Sequence, residues 1–176
     1  MLLKTVRCNA PAQGRKQAVR AVVALGLMVL AAVTHAEGLF SPMLTLRMGD
    51  RVVTLEREQL DAMVQSELQT STTLQPQIGR WQGVLGRDLL AHLGIPEGVV
   101  RPMTMRSWDD YRIDMTTEDF YLWDVLIATR LNGELLGVED LGPLRVIYPR
   151  DQHKALQDSR FDHRWVWLLR SIEVTP

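Results

Sequence analysis

Two arginines stand inside otherwise apolar runs near the end of the chain. Arg145 lies in GPLRVIYPR (142–150), and Arg170 lies in RWVWLLRSIEV (164–174). Apolar residues alternate along both runs, which predicts two buried strands. An arginine in such a strand either faces an anion-binding crevice or lays its methylenes along the core with the guanidinium in water. Periodicity alone favours the second interpretation, because long cationic side chains commonly extend to solvent in this way.

Aromatic residues accompany further candidates for ligand binding. Trp81 and Trp108 both precede turn-like stretches, and Arg80 and Tyr111 are close to them in the sequence. They either pack in the core or form the mouth of a crevice, where aromatic walls around a guanidinium suit a planar or anionic ligand. The sequence does not separate these alternatives for Trp81 and Trp108. For Trp123 it favours the core.

Histidines and carboxylates give no convincing metal or catalytic site. His92 follows Asp88 by one helical turn but has no third ligand, so a surface hydrogen bond is the better interpretation. His153 and His163 fall in a polar segment that we expect to be a solvated loop. No serine has the context of a nucleophile elbow, and no glycine-rich phosphate loop is present. We therefore predict no metal ligands and no catalytic residues.

Short elements must position these side chains. Met43–Leu46 and Arg51–Leu55 flank Met48-Gly49-Asp50 and predict a hairpin, and Asn132-Gly133 predicts another. The leucine stripe of residues 83–95 predicts the best helix in the chain. A short helix is predicted after Thr54, and a single helical turn after Thr116 or Thr117. Further strand-like segments cover 67–74, 99–105, 111–115 and 124–131. Strands and helices do not alternate strictly, which predicts an α+β fold.

The first 36 residues have the pattern of a secretory signal peptide. Residues 1–20 carry five basic side chains and no acid, Ala21–Val33 is apolar, and Thr34-His35-Ala36 suits a signal peptidase. The apolar run is shorter than the roughly 20 residues that span a membrane. We predict cleavage near Ala36 and a periplasmic product of residues 37–176 that forms one domain and is not embedded in the membrane.

Removal of that segment leaves an acidic domain without cysteine. Fifteen of the 20 Lys and Arg residues remain against 21 Asp and Glu, a net charge of −6. Such a surface repels phosphate backbones, which argues against nucleic acid as a partner. The only cysteine, Cys8, lies in the predicted signal peptide. The remaining domain thus has no disulfide, and stability must come from its core.

Five motifs occur in the order found in a known family. They are WQGVLGRDLLAHLGI (81–95), SWDDYRIDMTTED (107–119), LIATRLNGELL (126–136), GPLRVIYPR (142–150) and WLLRSIEV (167–174). Together they resemble the sulfite-oxidase-type molybdopterin-binding domain, and in particular its small exported members. The resemblance implies a sulfite-oxidase-like fold with a mixed β-sheet and a few short helices. It also implies molybdopterin as the family's cofactor.

The departures from the family bear on function. In the catalytic members a cysteine just before the Trp-x-Gly motif ligates molybdenum, but the corresponding residues 70–81 contain none. The family's arginine-rich turn is reduced to Arg80, and Val166 replaces a basic residue. By this resemblance, Arg145 alone remains where the family meets the anionic part of the cofactor.

We therefore expect a non-catalytic module without cofactor that binds a small anionic ligand or a periplasmic or membrane signalling protein. Arg145, Arg80, Trp81, Trp108 and Tyr111 are its candidate binding residues. The alternatives are a molybdopterin-dependent oxidoreductase with an atypical metal ligand and a structural subunit whose apolar face is covered by a partner.

Overall fold

A computed structural model describes residues 40–176, and the predicted signal peptide lies outside this range. Residues Phe40–Pro176 pack as one unit. Its strands are β1 (Leu44–Met48), β2 (Arg51–Leu55), β3 (Ser66–Thr70), β4 (Gly79–Leu85), β5 (Pro102–Ser107), β6 (Arg112–Thr116), β7 (Leu126–Leu131), β8 (Glu134–Leu135), β9 (Arg145–Ile147) and β10 (Leu169–Val174). Its α-helices are α1 (Arg57–Ala62), α2 (Gly86–His92) and α3 (Glu118–Leu122), and two 3₁₀ helices cover Lys154–Gln157 and Ser159–Arg164.

The strands form two mixed or antiparallel sheets. The first has the order β2-β1-β10-β5-β6, in which β1 and β10 are parallel and the other pairs antiparallel. The second has the order β3-β4-β7-β8, with β9 also paired to β7. The pairing of β1 with β10 joins the two ends of the described chain. Such a contact between distant segments leaves no trace in local sequence patterns.

The two hairpins predicted from turn residues are present. β1 and β2 pair from Leu44↔Leu55 to Met48↔Arg51, and Gly49 adopts a positive φ of 58° in the turn. Asn132 and Gly133 both have positive φ between β7 and β8. Asparagine and glycine are the residues that accept this conformation at least cost, so local chemistry alone determines these turns.

The helix predicted over 83–95 is shorter than expected. Residues 83–85 continue β4, and α2 covers only Gly86–His92. β4 lies between β3 and β7, so strand pairing on both sides outweighs the helical leucine stripe at these positions. Helix α1 likewise begins later than predicted, because Thr54 stays in β2 and the Glu56 N–H is bonded by the Gln59 side chain (2.8 Å).

The predicted strand over residues 164–174 is also too long. Only Leu169–Val174 pair as β10, because Leu168 has a positive φ of 52° and interrupts the extended backbone. Trp165 and Val166 are nevertheless buried. One connected hydrophobic core receives side chains from both sheets and from α2; its largest fully buried members are Trp81, Tyr148 and Phe120.

No helix within residues 40–176 is long and apolar enough to cross a membrane.

Candidate functional site

Arg145 is a buried cation without an ionic partner. It begins β9, whose three residues are all buried, and only 7% of its surface is exposed. Its guanidinium carbon lies 4.7 Å from the centroid of the Trp81 ring, and Nη1 donates a long hydrogen bond to the Asp140 carbonyl (3.4 Å). In the described part of the chain no carboxylate forms an ion pair with it.

The surroundings of Arg145 disfavour its charge. Burial lowers the pKa of its guanidinium, and the charge of Asp140 opposes this only in part. A guanidinium stays protonated in proteins, so it remains a positive charge in a desolvated place. This differs from our expectation of a charged head in water. The cation–π contact with Trp81 compensates part of the desolvation cost.

We predict that Arg145 contributes little to stability. An Arg145→Met variant keeps an apolar chain against Trp81 and removes the buried charge, so the lost cation–π contact and the relieved desolvation should nearly cancel. We expect its free energy of unfolding in urea to lie within about 1 kcal/mol of the wild-type value. Arg145→Ala, which also leaves a cavity, should lose about 2 kcal/mol. A loss for Arg145→Met as large as that of Arg145→Ala would show that the charge itself stabilises the fold.

Trp81 belongs to the core, which resolves the two alternatives left open by its sequence context. Its side chain is fully buried, and its Nε1–H donates to the carbonyl of Thr70 (3.1 Å). Arg80, the preceding residue on β4, is exposed and lies 3.9 Å from Glu67. Side chains of consecutive strand residues point to opposite faces. Arg80 and Trp81 therefore do not form one wall of a crevice.

A buried hydroxyl segment, Thr70–Ser71–Thr72, begins at the last residue of β3, whose carbonyl accepts the Trp81 hydrogen bond. Asp151 binds it through several hydrogen bonds: the Ser71 N–H and the hydroxyls of Ser71 (3.0 Å) and Thr70 (3.2 Å) all donate to its carboxylate. The Ser71 N–H is the largest cause that lowers the pKa of Asp151, and the two hydroxyls add to it against the effect of burial. The segment is thus held in place by an ionised carboxylate.

Trp108 and Tyr111 lie in a second group, at the turn between β5 and β6. The Arg170 guanidinium lies 5.6 Å from the Trp108 ring centroid, and Phe40 packs against the same ring at 5.4 Å. The Tyr111 hydroxyl donates to the carbonyl of His163 (2.8 Å). The five candidate residues therefore divide between the two sheets, and only Arg145 and Trp81 are in contact with each other.

Asp119, Tyr148 and Arg164 form a buried polar network that the sequence did not reveal. Arg164 Nη1 lies 2.9 and 2.6 Å from the two Asp119 oxygens, and the Tyr148 hydroxyl donates to Asp119 (3.0 Å). Burial, then the nearby Asp119 charge, raises the pKa of Tyr148 well above its usual value. Tyr148 lies 29 positions and Arg164 lies 45 positions after Asp119, so no local sequence pattern could predict these contacts.

The histidines considered as metal ligands lie at or near the surface, and His163 is in the 3₁₀ helix Ser159–Arg164, where a loop was expected. His92 is exposed at the end of α2, and His153 stacks edge-on against half-buried Trp123 at a centroid distance of 5.1 Å. Within residues 40–176 no three His, Cys, Asp or Glu side chains are grouped so that they could hold a metal ion.

Comparison with known families identifies the scaffold. The model of the family described as "Oxidoreductase molybdopterin binding domain" matches residues 48–154, which is more than half of the chain. The chain belongs to this family. This confirms the resemblance inferred from the five motifs. No curated protein sequence matches the chain.

The fold is also similar to that of a solved structure. The chain is similar to the crystal structure of the sulfane dehydrogenase SoxCD from Paracoccus pantotrophus, with a TM-score of 0.54 and 17% sequence identity over 75% of this chain. It spans only 37% of the length of that chain. The predicted α+β, molybdopterin-binding fold of mixed sheets and few short helices is thereby confirmed. At this identity the similarity extends to the fold alone.

Proposed function

We propose that this chain is a non-catalytic binding module built on the oxidoreductase molybdopterin-binding scaffold. It acts in the periplasm after cleavage near Ala36 and serves as a sensing or interaction component of a signalling system. The observation that carries the proposal is the hydroxyl segment Thr70–Ser71–Thr72. It lies at the beginning of residues 70–81, where the family resemblance places the molybdenum-binding cysteine. Its Thr70 and Ser71 are hydrogen-bonded to the Asp151 carboxylate.

The residues present do not fit a molybdenum–pterin cofactor held by a protein thiolate. Residues 40–176 contain no cysteine, and neutral hydroxyls do not replace a soft anionic sulfur ligand. The Asp151 carboxylate, whose lowered pKa keeps it ionised, adds negative charge beside this segment. An anionic cofactor would be repelled there.

Arg145 is the residue that we propose for recognition of a small anion. A buried guanidinium without a carboxylate partner has unused hydrogen-bond donors and an unneutralised charge. Guanidinium groups bind planar and tetrahedral oxyanions through two parallel N–H donors. The Trp81 ring covers one face of the guanidinium, with its centroid 4.7 Å from the guanidinium carbon. Arg80, Trp108 and Tyr111 lie apart from this contact and are not needed for it.

Molybdenum content tests the non-catalytic assignment. The full chain should be produced in a host that makes molybdopterin, purified without denaturation, and analysed by inductively coupled plasma mass spectrometry. We expect molybdenum far below one equivalent per chain, and no cofactor released by heating. Molybdenum near one equivalent would overturn the proposal in favour of an oxidoreductase with an atypical metal ligand.

The same preparation tests the anion site. Isothermal titration calorimetry with sulfite, sulfate and inorganic phosphate should detect saturable binding of at least one anion to the wild-type protein. Arg145→Met should abolish it, and Arg80→Met, which removes an exposed arginine on the same sheet, should not. No binding of any of the three anions, or equal loss in both variants, would remove Arg145 as the recognition residue.

A further inference from the structure

Two neighbouring surface cavities, together called the groove, lie between the C-terminal end of α2 and helix α3. The cavities have volumes of about 320 and 450 Å³ and share Glu97 and Tyr121 in their walls. Apolar side chains line most of the groove: Ala91, Ile95, Pro96, Val99, Val100 and Leu122. The groove contains none of the residues assigned above to the anion site.

Hydrogen bonds and close packing within the chain hold the walls of the groove in place. The Tyr121 hydroxyl donates to the Ile95 carbonyl (2.6 Å), and the Thr117 hydroxyl donates to the Val99 carbonyl (2.9 Å). Below it, Gly86 lies directly against the Phe120 ring, where even a methyl group would not fit. A surface that is already ordered loses little conformational entropy when a partner binds.

Two large apolar side chains that line this groove are exposed. Val100 is 55% exposed and Leu122 is 59% exposed, and both line the smaller cavity. Neighbouring exposed apolar side chains with a polar rim are typical of interaction sites. Val100 and Leu122 are two of the nine large apolar side chains exposed in residues 40–176, and both line one cavity.

Carboxylates form the rim of the groove. Asp88, Glu97 and Glu118 line it, and none of the three takes part in an ion pair formed within residues 40–176. The lining guanidinium, that of Arg87, is already bound to Asp124.

The acidic character is strongest at one end of the groove. Arg51 approaches the far end, beside Gly94. Glu97 and Glu118 instead flank the smaller cavity, where Val100 and Leu122 are exposed. This end therefore combines apolar contact area with two unpaired carboxylates.

We propose that this groove docks a segment of a partner protein in which lysine or arginine side chains flank large apolar ones. This inference rests on the proposed function, since it gives the interaction module a surface and a type of partner. The exposed apolar pair supplies contact area, and the carboxylates Glu97 and Glu118 select basic neighbours. A second copy of this chain is a poorer occupant, because residues 37–176 carry a net charge of −6. The same acidic rim repels an anionic lipid surface.

Binding of a defined peptide tests the groove. The probe is a fluorescein-labelled synthetic peptide of leucine and lysine, compared with the same peptide carrying glutamate in place of lysine. Fluorescence anisotropy at low salt should show saturable binding of the lysine peptide to the full chain. The Glu97→Lys/Val100→Ser variant should weaken it by about tenfold or more. The glutamate peptide should not bind.

A matched control uses Glu58, on helix α1, and Val64, which follows that helix. Glu58→Lys/Val64→Ser makes the same chemical changes at two exposed positions outside the groove and should alter affinity less than about twofold. Equal weakening in both variants would reduce the binding to general charge attraction and overturn the proposal. A dimer in analytical ultracentrifugation that only Glu97→Lys/Val100→Ser dissociates would overturn it in favour of a second copy.

The outcomes for the groove and for the proposed function are separable. Arg145→Met should leave peptide affinity unchanged, because Arg145 is not in the groove. Molybdenum in the purified protein would overturn the non-catalytic assignment while the peptide comparison still gave its own result. Failure of the peptide comparison alone would overturn only the groove.

Discussion

Replacing Asp119 with alanine is expected to lower the free energy of unfolding by about 3 to 5 kcal/mol. The carboxylate accepts hydrogen bonds from Arg164 and Tyr148, and all three side chains are mostly buried. Its removal leaves the Arg164 charge without a partner, and the Tyr148 hydroxyl loses its acceptor. Because the network ties α3 to the 3₁₀ helix Ser159–Arg164, we expect a lower midpoint in urea with an unchanged slope.

Two further variants separate charge from hydrogen bonding in this network. Asp119→Asn keeps an acceptor for Tyr148 and should lose less than Asp119→Ala. Tyr148→Phe, which removes a single hydroxyl, should lose about 1 kcal/mol. Glu118→Ala, at the neighbouring exposed position of the same helix, should stay within about 0.5 kcal/mol of the wild type. A loss below about 1 kcal/mol for Asp119→Ala would show that the network does not stabilise the fold.

Elements governed by local chemistry could be predicted from the sequence. Turns at Gly49 and at Asn132-Gly133 need positive φ, and the residues found there are those that accept it. In each case the deciding interaction lies within a few residues, so a local pattern contains it.

Elements decided by distant contacts could not be predicted in the same way. Residues 83–85 have a helical leucine stripe on their C-terminal side, yet pairing of β4 with β3 and β7 makes them strand. Leu168 interrupts a run that alternates as a strand should, and only its positive φ reveals this. Propensity is a weak prior where tertiary pairing competes with it.

The same distinction between local chemistry and distant contacts applies to the residues of the candidate site. The apolar strand around Arg145 makes it a candidate, but the same periodicity favours a guanidinium in water, whereas the side chain is buried. Trp81, which contacts Arg145, is also a candidate binding residue in the sequence. Whether it packs in the core or lines a crevice depends on side chains from distant segments. Asp151 lies two residues before His153, in a segment that we expect to be a solvated loop, yet its carboxylate binds Ser71, 80 positions earlier. Contacts over such separations require the folded structure.

Gly83→Ala is expected to be the most damaging single methyl group that can be added to β4. A Cβ at this position would lie 2.1 Å from the Ile127 carbonyl oxygen and 2.8 Å from Ala128 Cα. Both are backbone atoms of the paired strand β7, so neither can rotate away. The two strands would have to separate beside the irregularity that already exists between Gln82 and Gly83. The glycine of the Trp-x-Gly motif is therefore required for strand packing.

We expect Gly83→Ala to lose about 3 kcal/mol or more, or to yield no soluble folded protein. Gly98→Ala is the matched control. It adds the same methyl group where no atom lies within 4 Å, although its φ of +82° imposes a conformational cost. That cost should be about 1 kcal/mol. Urea unfolding followed by circular dichroism compares the two variants. Equal losses in the two variants would mean that the close contact of Gly83 with the β7 backbone does not determine the effect.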